Sequence, residues 1–187
     1  MKLRVPLKIT SRTSSITNSF VQAIIPDLEF SNDEQDEALS QLGLTRKDLR
    51  CVYCGNPTTD WDHLRPLVKN RRPTGFVSEI RNLVPACGPC NQSKGASDWR
   101  VWMTGNAPGS PATRGIKDIE ERAERISHFE TWGEVKPFAF DRLVPSEIWD
   151  DYWSELEAIV DLMKRAQEKA AAVRSHISEA ISAERRG

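Results

Sequence analysis

The sequence predicts an α+β fold that is mostly helical, with a small strand–strand–helix core embedded between N- and C-terminal helical segments. Three observations predict it. Apolar residues recur at helical spacing on both sides of one cysteine-bearing stretch. Inside that stretch lie two short runs of strand character. The chain's four cysteines form two C-x-x-C pairs, Cys51/Cys54 and Cys87/Cys90, and a bound metal would hold so small a core together.

The organisation that follows is a helical segment over 1–50, a cysteine core over 51–104, and a linker with C-terminal helices over 105–187. In the first segment "SITNSFVQAIIP" is amphipathic, with Ile16, Phe20, Ala23 and Ile24 on one face and Pro26 ending it. "SNDEQDEALSQLGL" reads as a helix capped by Ser31 or Asn32, with acids in its first turn, closing near Gly43. "TRKDLR" reads as a short helical turn. In the core, "TTDWDH" alternates like a strand, "FVSEIRNLV" is a second strand, and "CNQSKGASDWRVWM" is a helix with Trp99 and Trp102 facing inward. "GNAPGSPATRG" is a Gly/Pro/Ser-rich linker. Ile116, Ile119, Ala123, Ile126 and Phe129 mark another amphipathic helix. A long helix spans about 146–183. Trp149, Leu156, Met163, Ala170 and Ile177 fall seven apart, and Tyr152, Ile159, Ala166, Val173 and Ala180 fall three after each. That seam packs either on the chain's own N-terminal helices or against a second copy, so a homodimer is one expected assembly.

The net charge is −1, so the molecule as a whole carries no nucleic-acid signature. Its distribution is uneven. Residues 61–102 hold Arg65, Lys69, Arg71, Arg72, Arg81, Lys94 and Arg100 against Asp62, Glu79 and Asp98, while 27–41 hold acids and no base. A basic island of this kind is either a footprint for a polyanion or a solvated face. No apolar run has the length of a membrane span or a secretion signal, which leads us to expect a cytoplasmic location with reduced thiols. Two paired knuckles then read as a closed four-thiolate zinc site. The competing reading, a redox pair at "CGPC", needs a preceding strand in a βαβ unit and no distant partner knuckle.

Between the knuckles sits "WDHLRP". An Asp–His pair at the end of a strand, and Asn91 directly after the last cysteine, could lie near one another. A carboxylate and an amide oxygen are hard ligands suited to Mg²⁺, and a histidine beside them can accept a proton from water. The bland readings are a surface hydrogen-bonded Asp–His pair and an asparagine that caps its helix.

The run "CVYCG…WDHLRPLV…EIRNLVPACGPCNQSKG" resembles the HNH, or ββα-metal, nuclease superfamily in its branch with a four-cysteine zinc site. The resemblance covers roughly 51–104. It implies that His63 is the general base and that Asp62 and Asn91 hold a catalytic Mg²⁺ or Mn²⁺, an H-N-N version of the motif. It implies further that Asn82 is structural and that Cys51, Cys54, Cys87 and Cys90 bind zinc. The loop "VKNRRPTGF" has one glycine where many members have two. Expected DNA contacts are Arg65, Lys69, Arg71, Arg72 and Lys94. The implied activity is that of a metal-dependent endonuclease on double-stranded DNA, leaving 5′-phosphate and 3′-hydroxyl ends, in a restriction-type role. The alternatives are a non-specific, homing or phage nuclease, or a zinc-stabilised nucleic-acid-binding module that does not cleave.

Overall fold

The computed structural model describes residues 6–186, so residues 1–5 and 187, at the ends of the expected terminal segments, lie outside the described residues. The fold is mostly helical α+β, and its contacts divide it into two compact units, residues 21–140 and residues 1–20 with 141–187. The units do not divide at 50 and 104, where the sequence changes character. A core of two short strands and a helix is too small to bury its own apolar side chains, and the neighbouring helices complete it.

In the 21–140 unit, β1 (Asp60–His63) pairs antiparallel with β4 (Leu83–Ala86), in register Asp62↔Val84 and His63↔Leu83. A second hairpin joins β2 (Val68–Lys69) to β3 (Arg72–Pro73). Asn70 and Arg71 both have positive φ at its tip, the arrangement of a two-residue turn that follows the strand twist. The expected strand "FVSEIRNLV" forms only at its end. Ile80–Asn82 coil into a 3-10 turn first, which lets the Asn82 side chain turn inward. Likewise the expected helix after Cys90 is two helices, α3 (Gly88–Lys94) and α4 (Trp99–Thr104). Gly95 at φ 49 ends α3, and the Asp98 carboxylate accepts from Val101 N at 3.0 Å to start α4. Trp99 and Trp102 are buried as expected.

α2 (Asn32–Gln41) begins at Ser31 with a reciprocal capping box. Glu34 N donates to Ser31 Oγ at 3.2 Å, and Ser31 N donates to Glu34 Oε2 at 2.8 Å. "TRKDLR" is a non-helical turn closed by a Thr45–Asp48 bridge, not a helical one. α5 (Ile119–Gly133) contributes Ile126 and Phe129 to the core around the cysteines, beside Leu42, Tyr53, Leu64 and Met103. The expected linker 105–115 is folded against this unit. Ser110 is buried, and its hydroxyl donates to Gly105 O at 2.8 Å. Glycine and proline marked turns there correctly, but hydrogen bonds keep those turns on the core.

In the other unit, α7 (Ser146–Glu184) packs on a 3-10 turn, Ile9–Arg12, and Ile9 N donates to Gln167 Oε1 at 2.7 Å. Trp153, Leu156 and Val160 are buried. The Phe20 ring meets Tyr152 at 5.3 Å, and Tyr152 OH donates to the Phe20 carbonyl. α1 (Thr13–Gln22) buries Thr17 and leaves Ala23, beyond its end, exposed. Its inward face is therefore rotated from the expected Ile16/Phe20/Ala23/Ile24 stripe. α6 (Phe140–Leu143) is a single turn. Among the described residues no helix is long and apolar enough to cross a membrane.

Candidate functional site

Cys51 and Cys54 sit on a tight knuckle closed by Gly55 N donating to Cys51 O at 2.8 Å. Cys87 caps α3 and Cys90 lies in its first turn, on the inward face. All four are buried free thiols, and their sulfur atoms lie within 4.8 Å of one another. A tetrahedral metal with bonds of about 2.3 Å to sulfur spaces its ligands roughly 3.8 Å apart, so the cluster is positioned to bind a metal. At this spacing the thiols interact strongly. The hydrogen bond from Cys90 pulls Cys51 down to about 5, and the same bond pushes Cys90 up. Arg114 Nη1 donates to Cys90 Sγ at 3.2 Å, which places a cation beside the sulfur cluster. Nothing in the sequence signalled Arg114, because it lies in the segment that reads as a linker.

β1 alternates its faces, so Asp62 points inward and His63 points the other way. Asp62 is 4% exposed. Its Oδ2 accepts from the Tyr53 hydroxyl at 2.6 Å, and Lys94 Nζ lies 3.2 Å from Oδ1 and 3.1 Å from Oδ2. Burial pushes the Asp62 carboxyl up, against the pull of Lys94 and Tyr53. Burial also holds the Tyr53 phenol well above its ordinary range, so it keeps its proton and donates. The Lys94 ammonium is fully buried and donates further to His63 O at 2.9 Å and Gly95 O at 3.3 Å. The expectation that Lys94 contacts a phosphate is therefore corrected. Its long side chain runs inward along α3 to the Asp62 carboxylate.

The His63 ring is half-buried, with Nε2 2.6 Å from Ser78 Oγ. Burial, then Lys94, lowers it to about 4, so the ring is neutral near pH 7. Ser78 was read only as part of a strand. It orients the histidine from the extended segment before the Ile80–Asn82 turn. Asn91 precedes Lys94 by three residues, so both lie on one face of α3. Asn91 is half-buried, and no hydrogen bond among the described residues engages its amide.

Asn82 is fully buried. Its Oδ1 accepts from Arg65 N at 2.8 Å, and its Nδ2 donates to Arg65 O at 3.1 Å and Val77 O at 3.3 Å, tying the chain after β1 to the approach to β4. Arg65, expected at the DNA, instead turns back. Its Nη2 donates to Glu130 O at 3.0 Å, its guanidinium lies 5.8 Å from the Phe76 ring centre, and Nη1 is buried without a partner. Arg65 is thus half-buried and held within the protein by Glu130 and Phe76, not extended from the surface. Lys69 and Arg71 are exposed, and with Arg72 they cluster on the β2–β3 hairpin.

Residues 51–97 match the family model described as HNH endonuclease. The chain is also 32% identical over 90 residues to the CRISPR-associated endonuclease Cas9 of Corynebacterium diphtheriae. That match takes in 46% of this chain and 7% of the relative's length. No solved structure matches the chain. The chain thus carries an HNH endonuclease domain at residues 51–97, with four cysteines positioned to bind a metal.

Proposed function

We propose that the chain is a metal-dependent endonuclease that hydrolyses phosphodiester bonds in double-stranded DNA, leaving 5′-phosphate and 3′-hydroxyl ends, in a restriction-type role in the cytoplasm. The observation that carries the reading is that the segment matching HNH endonucleases puts an Asp–His pair at the end of β1 and an unengaged asparagine amide on the adjoining α3. His63 is the general base. Its neutral ring, oriented by Ser78, takes the proton from the attacking water. The water oxygen bonds to phosphorus as the bond to the 3′ oxygen breaks.

Asp62 and Asn91 would hold Mg²⁺ or Mn²⁺. The donor set fits: the Asp62 carboxylate has acceptor capacity beyond Tyr53 and Lys94, and the Asn91 amide is free to turn its oxygen. When bound, such an ion offsets the charge that builds on the leaving 3′ oxygen. Asn82 keeps the chain after β1 in place through its bonds to Arg65 and Val77. Lys69, Arg71 and Arg72 meet the DNA backbone. Zinc fills the cysteine cluster. Four thiolates leave it no open position, so its role is structural.

Two such sites, one per copy, would let both strands of a duplex be cut in one encounter. We assign the exposed apolar stretch of α7, which includes Val173, Ile177 and Ile181, to a second copy of the chain. Sedimentation at the monomer mass would overturn that assignment.

Incubating plasmid with zinc-loaded protein and Mg²⁺ or Mn²⁺ tests the activity. Discrete fragments support a restriction-type enzyme, and random nicking supports a non-specific one. One observation favours the non-cleaving alternative: Lys94 already pairs with Asp62. A retained gel shift without cleavage in either metal would establish that alternative.

A further inference from the structure

Tyr53 belongs to one metal site and touches the other. It lies between Cys51 and Cys54 in the first knuckle, is fully buried, and sets its ring edge-on to Trp102 at 5.1 Å. Its hydroxyl donates to Asp62 Oδ2 at 2.6 Å. A buried phenol needs an acceptor, and many acceptors would serve. Here the acceptor is the carboxylate expected to face the catalytic metal.

The last torsion of an aspartate is broad and weakly defined by itself. Lys94 alone does not fix it, because its ammonium is nearly equidistant from the two oxygens, at 3.2 and 3.1 Å. Tyr53 distinguishes them by binding only Oδ2. Partners behind a ligating group set its orientation and basicity, and losing one typically weakens the metal by about 10–100-fold.

We propose that Tyr53 is a positioning residue for the catalytic metal, and that it carries the geometry of the four-cysteine knuckle to Asp62. The cysteine cluster then has a second role beyond holding the fold: its knuckle aims the ligand on β1. This rests on the reading of Asp62 as a metal ligand.

The test uses the full zinc-loaded chain and Mn²⁺ as probe, with binding read by electron paramagnetic resonance of free Mn²⁺, so no cleavage is needed. Tyr53→Phe keeps the ring against Trp102 and removes only the hydroxyl. The expected result is Mn²⁺ affinity weakened about 10–100-fold, with one zinc per chain and an unchanged circular dichroism spectrum. A lowered melting temperature with Mn²⁺ affinity within twofold of wild type would make Tyr53 a packing residue and overturn the proposal. Asp62→Asn separates the two levels. If it too binds Mn²⁺ like wild type, the ligand reading falls and the proposal falls with it. If only Tyr53→Phe does, the proposal falls alone.

Should Tyr53→Phe fail to fold, the wild-type chain decides. It has two tyrosines, Tyr53 and Tyr152. With ¹³Cζ-labelled tyrosine, titrating Mg²⁺ should move the Tyr53 resonance and leave that of Tyr152 in place, the two being assigned with Tyr152→Phe. A Tyr53 resonance that stays fixed through saturating Mg²⁺ would overturn the proposal.

Discussion

The Lys94 ammonium and the Asp62 carboxylate are paired in the interior, so removing either leaves the other buried without its counter-charge. Losing one partner of a buried pair costs about 3–5 kcal/mol. Lys94→Ala should lower the unfolding free energy by that amount in a denaturant titration, whereas Lys69→Ala, on the exposed hairpin, should change it by less than about 0.5 kcal/mol. Equal, small effects would mean that Lys94 is not the interior cation described. Asn91→Ala gives a cleaner probe of the catalytic metal than any change at Asp62, because its amide holds nothing else in place. The metal concentration for half-maximal cleavage should rise about tenfold or more, with the rate partly recovered at higher Mn²⁺. A lowered rate at unchanged metal dependence would remove Asn91 from the ligand set. Residue types and spacing made Asp62, His63, Asn91 and the cysteines legible as candidates. Which of the nearby cations face solvent was not legible, because a lysine or arginine stem is long enough to run either way. Lys94 and Arg65 both ran inward.

Among the elements, the β1–β4 hairpin and α3 are held chiefly at their ends, by the two knuckles and by Asn82. If the cluster holds structural zinc, the purified chain should carry about one zinc per molecule. Cys87→Ser should then lose folded protein and not activity alone, as read by circular dichroism and metal analysis. A soluble, metal-free and well-folded Cys87→Ser protein would contradict a structural site. The β2–β3 hairpin is a different case, since its basic tip does little for the fold. Neutralising Lys69, Arg71 and Arg72 together should weaken DNA binding and flatten its dependence on salt by up to about three units of log–log slope. An unchanged slope returns the hairpin to an ordinary solvated surface. The helices on either side were legible from apolar periodicity and caps, as the Ser31 box of α2 shows. The break between α3 and α4 was missed although Gly95 and Asp98 both signalled it, because the inward tryptophans continue a helical spacing across the gap. The fold of 105–115 was illegible for another reason: its turns are local, but the bonds that hold them to the core, including that of Arg114 to Cys90, are not.

For the whole molecule, the HNH domain does not stand alone. α2 and α5 bury its far side within the 21–140 unit, while α7 and the N-terminal turn form a unit of their own. The seven-residue repeat of α7 was legible, but not whether it packs within the chain; Leu156 of the expected seam is buried there, together with Trp153 and Val160, which lie outside that seam. The repeat could not say where that packing stops, since its positions run on through Val173 and Ile177, which are exposed. We propose His63 as the base of a metal-dependent DNA hydrolysis. That role is tested most directly by single-turnover cleavage of plasmid DNA by wild type and His63→Ala, at saturating Mg²⁺ and with DNA binding measured in parallel. His63→Ala should bind DNA like wild type, cleave about 10²–10⁴-fold more slowly, and not be rescued by more metal. Cleavage by His63→Ala at the wild-type rate would contradict that role and leave His63 as a β1 side chain bonded to Ser78.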